Sequence, residues 1–85
     1  MIESSGKEPR EQLGARVRRL RLERGLAQDR LAIEANVDQS GLSKFERARK
    51  GAMGPVPLAR IAAVLGISLE ELVRGTDVEG RQTPF

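Results

Sequence analysis

Eighty-five residues with fifteen basic and twelve acidic side chains, net charge +3, suffice for one small domain with a modest core, and leave no room for a second, ligand-sensing or catalytic one. The chain has no cysteine and no histidine, which removes a disulfide framework, a thiolate metal site and the commonest general base, and leaves zinc unsupported. With no nucleophile elbow, phosphate loop or paired carboxylates in a plausible pocket, the expectation is a protein that is not an enzyme and uses no cofactor or metal.

In chain order, residues 1–8 are polar and read as a flexible arm without the apolar core of a signal peptide. No later apolar run approaches the roughly 20 residues needed to span a membrane, so a cytoplasmic location is expected. Pro9 suits the first turn of a helix over about 9–24, with Leu13, Val17 and Leu20 on one apolar face and Gly25 as its stop. A second helix spans about 28–35, with Leu31, Ala32 and Ala35 at helical spacing, and a third spans about 39–47, with Leu42 and Phe45 three apart. Between them lies Asn36-Val37-Asp38. Asn36 is one of the few non-glycine residues that tolerate a left-handed turn, and Asp38 offers a cap to the following helix.

The loop from Ala48 to Gly54 carries Gly51 and Gly54 as breakers, and Pro55 opens a fourth helix in which Leu58, Ile61, Ala62 and Leu65 repeat on one face. Gly66 ends it. Ser68 and Glu71 have the spacing of a capping box, which starts a short fifth helix lasting to about Val73. Residues 74–85 are rich in turn formers and read as a poorly ordered tail. The domain is therefore expected over 9–73, all-α with five helices.

Two short helices joined by a tight turn form the layout of a helix-turn-helix, with Gln28 and Gln39 at the two helix starts and Gln39, Ser40, Ser43 and Lys44 facing outward. The charges are unevenly placed. Arg10, Arg16, Arg18, Arg19, Arg21 and Arg24 crowd the first helix, and Arg47, Arg49 and Lys50 follow the third, whereas Glu70 to Glu79 is mildly acidic. Leu42 and Phe45 read as core, and a chain with two phenylalanines, no tyrosine and no tryptophan lacks a stacking platform for single-stranded nucleic acid.

From Leu13 to Val73 the chain resembles the DNA-binding domains of lambda-phage-type repressors and their bacterial relatives, the regulators of the xenobiotic-response-element type. The resemblance rests on Gln28 with Gln39-Ser40-Gly41-Leu42, on Leu13 to Arg21, on Arg24-Gly25-Leu26, on Phe45-Glu46-Arg47, and on Ile61-Ala62 with Leu65 to Leu72. The chain departs from the family at Ala27, where a Ser or Thr cap is usual, at Asn36, where the turn glycine is usual, and in a loop about one residue longer after Arg47.

The resemblance implies a lambda-repressor-like fold and a partner, double-stranded DNA. Gln39 would read adenine through its paired donor and acceptor, with Ser40, Ser43 and Lys44 reading neighbouring bases. Gln28, Arg47, Arg49 and Lys50 would hold phosphates, and Gln28 would brace Gln39. Arg21 and Glu46 would form a partly buried ion pair tying the first helix to the third. Gly41, unusual inside a helix, is explained by close approach to DNA or by drift in a tolerant first turn.

One recognition helix offers too few contacts for specific regulation, so a homodimer on an inverted-repeat operator is expected, acting as a repressor. Leu69, Leu72 and Val73 are more apolar surface than a short terminal helix should hide, which assigns them to the dimer interface. Asp29 sits where relatives present an acidic group to RNA polymerase. Two other readings stay open: the antitoxin of a toxin–antitoxin pair, binding a toxin as well as its own promoter, and a protein-interaction adaptor using the same helices without DNA.

Overall fold

The computed structural model describes residues 11–47 and 53–76. Five helices follow in order: α1 Leu13–Glu23, α2 Gln28–Ala35, α3 Gln39–Arg47, α4 Pro55–Leu65 and α5 Leu69–Val73. Among the described residues the only extended pairing is an isolated bridge between Glu11 and Thr76. The fold is all-α.

Three helix ends share one chemistry. Gly25, Asn36 and Gly66 adopt φ of 65°, 55° and 80°, the left-handed region that closes a helix by turning the next amides back onto its last carbonyls. Leu26 N donates to Arg21 O, Val37 N to Ala32 O and Ile67 N to Ala62 O, each at 3.0 Å. In each case the residue after the turn is apolar and packs against the core. The turn thus satisfies the orphan carbonyls and re-aims the chain inward in one step. Asn36 does in the helix-turn-helix corner what glycine does at the other two ends.

Helix starts are equally local. Asp38 Oδ2 accepts from Gly41 N at 2.7 Å, capping α3, and Pro55 occupies the first turn of α4 behind Gly54. Ser68 Oγ accepts from Glu71 N at 3.0 Å while Glu71 Oε1 accepts from Ser68 N at 3.2 Å, the reciprocal box expected for α5.

The core gathers Leu13 and Val17 from α1, Leu31, Ala32 and Ala35 from α2, Leu42 and Phe45 from α3, the four apolar positions of α4, and Leu72 and Val73 from α5. The helix α1 lies across α3 and α5, while α2 lies against α3 and α4. Gly14 makes the α1–α3 crossing possible: a Cβ there would collide with the backbone carbonyl of Phe45.

Three expectations are corrected. The first helix does not run from Pro9, because Glu11 and Gln12 are extended and α1 begins at Leu13. Glu11 is held outside the helix by Arg16 and Arg19, whose guanidinium groups donate to its carboxylate at 2.9 and 3.1 Å. The first residues assigned to a loose tail belong to the fold: Thr76 is fully buried, and its Oγ1 donates to Val73 O at 2.6 Å. Finally, α5 does hide its apolar side chains. Leu72 is 0% and Val73 6% exposed within the single chain, and Leu69 is partly covered, so the excess apolar surface that assigned these residues to a dimer interface is not there. The arm over 1–8, the bulk of the 74–85 tail, and Arg49 and Lys50 lie outside the described residues.

Candidate nucleic-acid interface

The helix α3 divides sharply by side. Leu42, Phe45 and Glu46 are buried at i, i+3 and i+4, whereas Gln39, Ser40, Gly41, Lys44 and Arg47 are exposed and Ser43 is half-buried. Gln39, Ser40 and Lys44 have no side-chain partner among the described residues. Three of the four expected base readers thus stand on the solvent face of one rigid helix, with Ser43 at its margin. Arg47 turns back along the helix, its Nε donating to Ser43 O at 3.3 Å. A Cβ on Gly41 would meet only Asp38, at 3.4 Å from its Oδ2, so nothing within the fold demands glycine there.

Behind this face lies the ion pair. Arg21 Nε and Nη2 donate to the two carboxylate oxygens of Glu46, each at 2.9 Å, in a bidentate fork whose side chains are only 8% and 1% exposed. The third nitrogen of Arg21 donates to Leu26 O at 2.8 Å. One guanidinium therefore joins α1, the turn that follows it and α3. Gln28 completes the cluster: its Nε2 donates to Glu46 Oε1 at 3.1 Å. This corrects the expected brace, since the Gln28 amide nitrogen goes to Glu46 and not to Gln39.

The start of α2 is open. Ala27 gives it no side-chain cap, so the amides of its first turn have no side-chain acceptor, an arrangement suited to an anion. Asp29 shares that turn.

The arginines of α1 are structural more than they are free. Arg16 Nη1 donates to Glu71 O and Leu72 O at 3.2 and 3.3 Å, closing the end of α5. Arg24 Nε donates to Leu65 O at 2.8 Å, closing the end of α4. Arg19 spans Glu11 and Glu23, and Arg21 is committed to Glu46. Of the α1 arginines described, only Arg18 has no side-chain partner among the described residues. The apparent basic patch on α1 is largely the fold's own set of carbonyl caps and ion pairs. Neither those caps nor the Gly14 crossing was visible in the sequence, because their partners lie on other helices.

Residues 12–74 match the family of the helix-turn-helix domain. The chain belongs to that family. It is 37% identical over 76 residues, 89% of this chain and 92% of the relative, to an uncharacterized HTH-type transcriptional regulator, y4dJ, of Sinorhizobium fredii. It is also similar to SinR of Bacillus subtilis, the master regulator for biofilm formation, solved in complex with DNA. That likeness has a TM-score of 0.68 at 32% identity, over 73% of this chain and 98% of that one. The DNA-binding domain of the P22 C2 repressor shares the fold, with a TM-score of 0.70 at 24% identity over 80% of this chain and 88% of that one. The architecture of this helix-turn-helix domain is lambda-repressor-like. No helix among the described residues is long and apolar enough to cross a membrane.

Proposed function

We propose that this chain is a sequence-specific double-stranded-DNA-binding regulator of transcription, a repressor acting as a homodimer on an inverted-repeat operator. The observation that carries the reading is the exposed polar face of α3, where Gln39, Ser40 and Lys44 have no side-chain partner among the described residues, on a helix that a buried bidentate ion pair locks to α1. Gln39 offers the donor and acceptor that match adenine N6 and N7 in the major groove, Ser40 and Ser43 reach neighbouring bases, and Lys44 takes guanine or a phosphate. Arg47 and the open first turn of α2 hold the backbone. Arg49 and Lys50, which follow Arg47 in the chain, are assigned the same role by their charge. The similarity to SinR, solved with DNA bound, supports duplex DNA as the ligand.

Dimerisation follows from affinity. One helix reading three or four base pairs falls short of specific regulation, and two copies spaced one helical turn apart, about 34 Å, read twice the sequence. In this reading the pairing surface excludes Leu72 and Val73, which are consumed by the core of each copy. Repression is the mode that the likeness to lambda-type repressors favours.

Selecting bound sites from a random duplex library tests the proposal. Paired half-sites about 10 base pairs apart centre to centre are expected, with affinity falling steeply as salt rises because each neutralised phosphate contributes about −0.9 to the log–log slope. Binding that is indifferent to sequence and salt would overturn it.

A further inference from the structure

A concave site of about 250 Å³ lies between the helix-turn-helix corner and α4, and it shares no residue with the cluster of Arg21, Gln28 and Glu46. Its apolar wall is built by Val37 from the turn, Leu42 from α3, Met53 from the approach to α4 and Pro57 from that helix. Gly41 leaves one side clear. A Cβ there would meet only Asp38, so the described fold has no need of a glycine that weakens the helix relative to alanine, and the room a side chain would take borders this site.

Two opposite charges, Asp38 and Arg60, line the same concavity without pairing with each other. Asp38 Oδ2 accepts from Gly41 N at 2.7 Å, which leaves its carboxylate with further acceptor capacity, and Arg60 has no side-chain partner among the described residues. Asn36, the remaining polar group of the lining, has none either. A simple anion drawn to Arg60 would also face Asp38, and a simple cation drawn to Asp38 would face Arg60. A small molecule that carries both charges satisfies both. The volume falls just below the range of about 300–1,000 Å³ typical of sites for drug-sized ligands, which suits a single amino acid and excludes a nucleotide.

We propose that this corner is a binding site for a free α-amino acid with an apolar side chain: Arg60 takes the carboxylate, Asp38 takes the ammonium, and the side chain lies against Val37, Leu42, Met53 and Pro57. Asn36 adds a neutral hydrogen-bonding group at the rim. The site belongs to the protein without DNA and does not depend on the DNA-binding reading. It touches the same helix nonetheless, because Asp38 both lines the site and caps α3, so occupancy is felt at the start of the helix that carries Gln39.

The experiment is an NMR titration of the full chain with leucine, with leucinamide, which lacks the carboxylate, with isocaproate, which lacks the ammonium, and with glycine, which lacks the apolar side chain. Leucine is expected to give saturable shifts at the amides of Val37, Asp38, Gly41, Leu42 and Arg60, with that of Gly41 moved because its acceptor is engaged. Each of the three analogues should bind about three- to tenfold more weakly, the worth of one hydrogen-bonded charge at an exposed rim or of the apolar contact. Arg60→Gln should weaken leucine by a similar factor and leave leucinamide unaffected, whereas Asp38→Asn, which keeps a capping oxygen, should weaken leucine and leave isocaproate unaffected. Gly41→Met places a side chain in the site and should abolish binding by a domain that is still helical by circular dichroism; both charge variants, at exposed positions, test the proposal even if this one does not fold.

Absence of a saturable response at about 10 mM, where a ligand of so few atoms with well-made contacts is bound, overturns the proposal. So does binding of any analogue as tight as that of leucine, an Arg60→Gln or Asp38→Asn protein that binds leucine as the parent does, or a folded Gly41→Met protein with unchanged affinity.

Discussion

The backbone of Gly14 rests on the carbonyl of Phe45, so closely that a Cβ at position 14 would fall on that oxygen. This contact sets how near α1 comes to α3. It also sets whether Arg21, two turns further along α1, reaches Glu46 in a bidentate geometry. Gly14→Ala adds one methyl group where neither partner can yield without moving a helix, since the obstacle is backbone. The expected loss is about 1–3 kcal/mol of stability or more, with weakened DNA binding in whatever fraction remains folded. Thermal unfolding of the variant at the parent's stability would show that the crossing is looser than described.

Removing Glu46 should be costly out of proportion to its size. Glu46→Ala leaves a buried guanidinium without its counter-charge and releases Gln28, and breaking such a pair typically costs about 3–5 kcal/mol. Deleting an exposed partner, as in Glu34→Ala opposite Arg30, should stay within about 0.5 kcal/mol. Denaturant titrations that place the two variants together would refute the distinction.

On DNA, the exposed face of α3 separates into two kinds of residue. Gln39→Ala should cost about 1–3 kcal/mol on the preferred site and relax discrimination at one base pair. Arg47→Ala should weaken all sequences about equally and reduce the salt slope by about 0.9. Identical behaviour of the two variants in competition titrations would remove the assignment of reader and phosphate holder.

Among the α1 arginines, the structure predicts opposite outcomes for neighbours. Arg18→Ala should change stability by no more than about 0.5 kcal/mol, whereas Arg16→Ala leaves the last carbonyls of α5 without their side-chain donor and the carboxylate of Glu11 with Arg19 alone, and should destabilise measurably. Calorimetry of the two variants checks this directly.

Hydrogen bonding from Arg19, joined by Arg16, holds the Glu11 carboxyl below its ordinary value of 4.5, against a smaller opposing push from burial. A depressed carboxyl stabilises the folded state fully above its unfolded value. That contribution is lost as pH falls from the unfolded value through the lower folded value, because across that window the unfolded chain binds a proton that the folded carboxylate does not. Stability of the parent should therefore decline on acidification below about 4.5, and Glu11→Gln should flatten part of that decline while lowering stability at neutral pH. Parallel pH profiles for the two proteins would exclude Glu11 as a contributor.

Leu72 decides between a surface and a core role for α5. Fully buried, it should cost about 2–5 kcal/mol when changed to alanine. Leu72→Glu should unfold the domain, not yield a folded monomer. Circular dichroism separates these outcomes, and a well-folded Leu72→Glu would return the residue to the surface.

The amino-acid sequence by itself determined what acts within about one turn of chain: the five helices, the left-handed closures at Gly25, Asn36 and Gly66, the Asp38 cap, the Ser68–Glu71 box, and the polar outer row from Gln39 to Lys44. Such signals are legible because donor, acceptor and turn residue are sequence neighbours. The start of α1 was misplaced because Pro9 is only permissive for a helix start, whereas Glu11 is drawn out of the helix by arginines one and two turns away. The Arg21–Glu46 pair was legible only through family likeness, its members being 25 residues apart. Tertiary structure alone decided the rest. It chose the carbonyls that Arg16 and Arg24 close, the oxygen that forbids a side chain at position 14, the orientation of Gln28, and the burial of Leu72 and Val73. Each depends on which helix faces arrive opposite one another, and periodicity shows that a face is apolar without showing what will cover it.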